Sequence, residues 1–408
     1  MIPAPAAGGA AVRAPRAPRA PSFAVLVLLS GISPLATDMY LPALPALGRS
    51  LGTSPSTAQL TLTAFLVGLA VGQVVLGPLS DAAGRRPFLV WGPAAFLVAS
   101  VVCALAPSAG VLVGARLVQG FAGAAGVVCA RAVISDRHRG AEAAGRFGLL
   151  SSVTFLAPVV APGLGAALLL VGDWRLVFAV LAAVGAVQLL GALLRVPETL
   201  PPERRQAGSP RAALARMADL LRDRRFRAHV VVVSLATTGF FSYIGGSSFV
   251  LQGVYGITAS TYGLLFAVNA VVMAVTSALF ARLVRRWPVA ALRRAGLLLA
   301  SGGAVALAAA ALVAGAQPPP LGLAAALLAC VAGGMGLVLP ASTALCQEAG
   351  ARAAGTASAL SGGLAFGCGA LVIPVTGALG STSLLPMAAL MTAFLVLALL
   401  ASRAARAG

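Results

Sequence analysis

The chain has 408 residues, of which 59% are apolar and only 10% charged; its mean hydropathy is +0.97 and its formal charge +19. Soluble domains are nearer 45–50% apolar and 25% charged, so a soluble enzyme, a disordered chain and a secreted disulfide scaffold are all excluded. At about 20 apolar residues per crossing, the apolar stock is enough for about twelve spans and leaves almost nothing for a soluble domain.

Twelve apolar runs are predicted as helices: 22–47, 57–80, 88–107, 110–131, 145–171, 174–195, 230–251, 259–282, 289–315, 321–346, 353–379 and 383–402. The fold class is an all-α membrane protein of twelve transmembrane helices. The first run begins like a signal peptide, with arginines ahead of Phe23 to Leu29, but it continues to Leu47 without a clear cleavage site, so a retained helix is expected.

All 29 basic residues are arginine, and they sort by loop. Arg13, Arg16, Arg19, Arg85, Arg86, Arg131, Arg137, Arg139 and Arg146 lie on one side. So do nine from Arg195 to Arg227, five from Arg282 to Arg294, and Arg352, Arg403 and Arg406, for 26 in all. Only Arg49 and Arg175 lie opposite, and Arg116 falls inside a span. The positive-inside rule then puts both termini in the cytoplasm of a cytoplasmic (inner) membrane. The arginines punctuate apolar helices and form no single stripe, so nucleic acid is not an expected partner.

The longest cytoplasmic segment, 196–229, divides the chain into six-helix halves at 1–195 and 230–408. It holds Pro201, Pro202 and Pro210 and an amphipathic stretch near 212–226, expected to lie along the membrane surface. Two such halves point to a transporter built from repeats. The five cysteines form no C-x-x-C pair, and no G-x-S-x-G, H-E-x-x-H or Walker loop is present, so no metal or cofactor site is expected.

Five regions carry chemistry. Asp38, in Thr37-Asp38-Met39-Tyr40-Leu41-Pro42-Ala43-Leu44-Pro45, is the only acid in an apolar first span. A carboxyl at mid-helix is disfavoured by about 2.5–3.5 kcal/mol on insertion scales, so it marks a site that could take up and release protons. The loop after span two reads Gly77-Pro78-Leu79-Ser80-Asp81-Ala82-Ala83-Gly84-Arg85-Arg86. Gly77 allows close helix contact, Gly84 a tight reversal, and Asp81 faces basic groups. Arg116, in Arg116-Leu117-Val118-Gln119-Gly120 of span four, must face the bundle interior. In span five, Pro158 and Pro162 bend the helix while Gly163 and Gly165 allow close approach. Spans seven and eight carry Tyr243-Ile244-Gly245-Gly246-Ser247-Ser248 and Phe266-Ala267-Val268-Asn269-Ala270.

The loop 77–86 resembles the signature of the major facilitator superfamily through Gly77, Leu79, Asp81, Gly84, Arg85 and Arg86, with Ala82 where the family usually has Arg. Arg116 and Gln119-Gly120 are similar to its fourth-helix motif, and 157–163 to the antiporter motif, with Ala157 in place of Gly. The first-span run and spans seven and eight look like the Bcr/CflA drug-resistance family. The resemblance implies two halves rocking about a central cavity and proton-driven efflux of small hydrophobic drugs or antibiotics. Asp38 and Arg116 would couple protons, 77–86 would form the cytoplasmic gate, and Tyr40, Gln119, Phe240, Phe241, Tyr243 and Asn269 would line the cavity. Protonation of Asp38 from outside would displace substrate. Release inside, with Arg116 as counter-charge, would reset the pump. No cofactor beyond the proton gradient is implied; a lipid-embedded monomer is expected.

A proton-coupled importer, or an exporter of one metabolite, on the same fold is the principal rival. An intramembrane enzyme would need partners for Asp38 that the spans lack, and no ring-forming polar filter for a channel is visible.

Overall fold

The computed structural model describes residues 22–137, 140–205, 210–315, 317–380 and 382–404. Arg13, Arg16, Arg19, Arg139 and Arg406 lie outside the described residues. Helices joined by turns and short irregular segments follow in the order α1 (Phe23–Asp38), α2 (Leu44–Ser50), α3 (Pro55–Ala83), α4 (Arg85–Ala104), α5 (Ala109–Arg137), α6 (Gly140–Val171) and α7 (Trp174–Arg195), then α8 (Pro210–Arg222), α9 (Arg224–Gly253), α10 (Ala259–Leu283), α11 (Val289–Ala314), α12 (Leu321–Ala349), α13 (Ala354–Ala378) and α14 (Leu385–Ala404). Eleven described stretches are long and apolar enough to cross a bilayer, α1 and α2 counting as one. The expected run 145–171 lies in the 32-residue α6, of which Ala157–Val171 is the apolar part among the described residues.

The first span is broken where sequence periodicity predicts one helix to Leu47. Pro42 has no N–H for the Asp38 carbonyl and Pro45 none for that of Leu41, so the α-helical ladder stops. The chain passes through a 3-10 turn at Leu41–Ala43 before α2. At α9 the helix starts earlier than the predicted 230, because Asp223 caps it by accepting from the Arg225 and Phe226 N–H groups.

One packing pattern occurs twice. In the first group α5 packs on α3 and α4, α4 on α7, and α1 on α6. In the second α12 packs on α10 and α11, α11 on α14, and α9 on α13. The groups meet along two seams, α3 with α13 and α6 with α10. The α3–α5 contact is drawn tight by small residues: a Cβ at Gly120 would strike the Phe65 carbonyl, and one at Gly68 that of Leu117. Hydrocarbon supplies no hydrophobic drive between helices, so such backbone-to-backbone approach is what holds them together.

The amphipathic stretch folds as α8, but its Met217, Leu220 and Leu221 pack against a cluster with Phe226, Cys346 and Leu360. These three side chains are therefore turned to the protein.

Gly120→Val should lower the stability of the detergent-solubilised protein by about 1–3 kcal/mol or more, the usual range for overpacking. Gly114→Val, where nothing approaches within 4 Å, should leave the melting temperature nearly unchanged.

Candidate functional site

Asp38 ends α1 at the proline break, 9% exposed. Its carboxyl faces a cavity of about 70 Å³ between the two helix groups. Pro158 of α6, Phe240 and Tyr243 of α9, and Phe266, Asn269 and Met273 of α10 contribute to its walls. The Tyr243 and Phe266 rings stack with centroids 5.9 Å apart, and Asn269 Nδ2 donates to the Tyr243 hydroxyl at 2.8 Å. The Thr37 hydroxyl lies 3.2 Å from Asp38 Oδ1. Among the described residues no cation lies within ion-pair distance of Asp38. The arrangement is one carboxyl, able to exchange a proton, set against flat apolar faces.

Arg116 is fully buried but does not pair with Asp38. Its Nη1 donates to Gln119 Oε1 at 2.6 Å, its Nη2 to the Ala36 carbonyl at 3.3 Å and its Nε to that of Thr61 at 3.4 Å. The guanidinium carbon lies 4.3 Å from the Phe65 ring centroid and 4.8 Å from that of Tyr40, close enough for cation–π attraction. Arg116 thus grips the last turn of α1 two residues before Asp38, where a cation complements the helix C-terminus. The counter-charge role implied by resemblance has no direct contact behind it; Arg116 reaches Asp38 through the backbone.

By sequence, Tyr40, Gln119 and Phe241 belong with Phe240, Tyr243 and Asn269 on the cavity wall. The structure brings only the last three to Asp38. The Tyr40 hydroxyl bonds Thr61 at 2.6 Å, Gln119 Nε2 donates to Ser100 at 2.7 Å, and Phe241 packs on Phe366 and Gly369. In α6, Pro158 lines the cavity and the Pro162 carbonyl lies against Gly263 on the α10 seam. At Gly163 nothing lies within 4 Å of where a Cβ would stand; the close approach falls at Gly165, against Met39. A larger hollow of about 430 Å³ between α4 and α5 is lined mainly by aliphatic residues such as Val98, Gly114 and Val118, together with Trp91, and contains no titratable side chain among the described residues.

The loop 77–86 is held within one group. Asp81 pairs with Arg85 at 2.6 Å, and Arg85 Nε reaches Asp136 at 3.1 Å. Gly84 has φ 100°, a value that favours glycine, and a Cβ there would meet Glu198. Gly77 lies against Val128 of α5, Leu79 is exposed, and Arg86 Nε donates to the Val196 carbonyl. Glu198 caps α4: its carboxylate accepts from the N–H groups of Arg85 and Arg86 and from its own neighbours Thr199 and Leu200. Partial burial opposes its charge, but these four backbone donors together hold its carboxyl below the usual range. Sequence spacing does not single out Asp136 and Glu198 as partners of the 77–86 segment. For Glu198 the one signal is the run Pro197-Glu198-Thr199-Leu200 just after an arginine-terminated helix; Asp136 has none.

The family model for the Major Facilitator Superfamily matches residues 26–374. The chain belongs to this superfamily. A Bacillus subtilis (strain 168) relative described as an uncharacterized MFS-type transporter, YdgK, is 36% identical over 369 residues, 90% of each chain. A chloramphenicol resistance protein of Pseudomonas aeruginosa is 35% identical, over 67% of this chain and 65% of that one. A bicyclomycin resistance protein homolog of Haemophilus influenzae is 28% identical, over 92% and 94%. In fold, this major facilitator matches the crystal structure of a bacterial homologue of the human lysosomal transporter Spinster with a TM-score of 0.76, at 18% identity, over 94% and 96% of the two chains. Its family and fold are those of multi-pass membrane transporters and not of enzymes.

Glu198→Gln should lower thermal stability by about 1 kcal/mol or less at pH 7, as for a weakened N-cap at a half-exposed site. Because the folded-state carboxyl sits low, its contribution is complete above the unfolded value of about 4.3 and is lost as pH falls through the folded one. The gap in melting temperature between wild type and variant should therefore close on acidification, and a gap that widens at low pH would contradict the capping role.

Proposed function

We propose that the chain is a proton-coupled exporter of small hydrophobic drugs or antibiotics, working by alternating access across the cytoplasmic membrane. The observation that carries this reading is the carboxyl of Asp38, buried between the two helix groups, facing an aromatic wall and without a second acid in the cavity among the described residues. A charge there is disfavoured unless neutralised, so binding of a proton and occupancy by an apolar solute act on one small volume. The names of the relatives support the substrate class: one is a chloramphenicol resistance protein and another a bicyclomycin resistance protein homolog, and both names refer to small organic antibiotics. In this reading α6 supplies a twelfth crossing, both termini are cytoplasmic, and 77–86 with Glu198 forms a rigid cytoplasmic hinge block.

Asp38→Asn is nearly isosteric and removes the proton carrier. It should abolish pH-gradient-driven drug flux in proteoliposomes while expression stays near wild type. Wild-type coupled flux from the Asn variant would end the proposed role.

The orientation rests on the 26-to-2 arginine distribution. A cysteine introduced at Arg285 should resist impermeant thiol reagents in intact cells, and one at Gln317 should react. The reverse pattern would invert the transporter and, with it, the direction of flux.

A further inference from the structure

The groups are joined at the end that carries Arg49 and Arg175 by side-chain hydrogen bonds to backbone carbonyls of the opposite group. Two of these bonds share an origin. Pro374 lies inside α13 and has no N–H, so the Ala370 carbonyl lacks its helical donor. The Thr63 hydroxyl of α3 donates to that carbonyl at 2.8 Å. In the other group Pro45 has no N–H for the Leu41 carbonyl, which keeps only a 3-10 bond from Leu44. The Ser248 hydroxyl of α9 donates to it at 2.6 Å. Each group thus contributes one hydroxyl and one proline-freed carbonyl, and Thr63, Ser248 and Leu41 are all buried.

We propose that Thr63 and Ser248 are the latch that holds the Arg-poor end shut, with Pro374 and Pro45 as the residues that create its acceptors. Ser56, donating to the Pro374 carbonyl at 2.8 Å, and Gln59, donating to that of Gly245 at 2.8 Å, lie along the same seam. All are neutral bonds. A buried carbonyl without a donor is costly, so the closed end is favoured while it stays dry. Once water enters, the carbonyls are rehydrated and the penalty disappears. The latch is therefore strong enough to bias the closed state and weak enough to release in every cycle, which a buried ion pair across the seam would not be. A packing-only seam would have no need of the hydroxyls, and the two proline positions would be unrelated to them.

The test reads gate distance and is independent of which solute is moved or whether protons drive it. Nitroxides on keto amino acids installed at the exposed positions Ser50 and Ser383 report the opening of this end in nanodiscs by double electron–electron resonance, with native cysteines kept. Thr63→Val and Ser248→Ala should each raise the open-to-closed ratio roughly two- to tenfold, and together by about the product. Thr63→Ser and Ser248→Thr keep the hydroxyl and should retain the wild-type distribution, which separates latch loss from misfolding. In a Pro374→Ala background, where Ala370 regains a helical donor, Thr63→Val should shift the ratio less. An unchanged distribution in the Thr63→Val, Ser248→Ala double variant would overturn the latch. An equal Thr63→Val shift in both backgrounds would overturn the role of the proline.

Discussion

Within hydrocarbon a backbone carbonyl has no water to turn to, and the features that matter in this protein follow from where proline takes a donor away. Pro42 and Pro45 end α1 at Asp38. The break exposes main-chain polar groups, and the structure answers with side chains: Arg116 on the Ala36 carbonyl and Ser248 on that of Leu41. The acid is consequently fixed at a helix end and not along a helix face. Its position depends on a buried cation that never touches it.

The two ends of the molecule use different chemistry. At the Arg-rich end the Asp81–Arg85–Asp136 pairs and the Glu198 cap stay within one helix group, so they stiffen a block that can move as a body. At the Arg-poor end the bonds from Ser56, Gln59, Thr63 and Ser248 run between groups and are neutral, donor to carbonyl. Charged clusters resist rearrangement because a stranded ion is costly to desolvate, whereas a hydroxyl–carbonyl bond exchanges readily with water. The proposed alternating-access cycle would use both kinds.

Helical phase explains which expected cavity residues lie elsewhere. Tyr40 follows the break and turns toward Thr61 and the Arg116 cage. Gln119 lies one turn beyond Arg116 and is consumed by it. Phe240 and Phe241 are adjacent, hence about 100° apart around α9; only Phe240 reaches Asp38, while Phe241 fills the space left by Gly369. Single-residue rotations of this kind are invisible to a list of polar and aromatic residues in one span.

The amino-acid sequence by itself determined the membrane class, most of the helices and the superfamily, because hydropathy and the 77–86 and 116–120 spacings are local properties of the chain. It also marked Asp38, since an acid in an apolar run stands out without any knowledge of its neighbours. Only the tertiary structure decided what surrounds Asp38, that Arg116 acts on it through the Ala36 carbonyl, that Glu198 caps α4 across more than a hundred residues, and that the carbonyls released by Pro45 and Pro374 are met by hydroxyls of the opposite group. Each of these is a contact between residues far apart in the chain, fixed by how helices pack and rotate against one another, and neither composition nor periodicity carries that information.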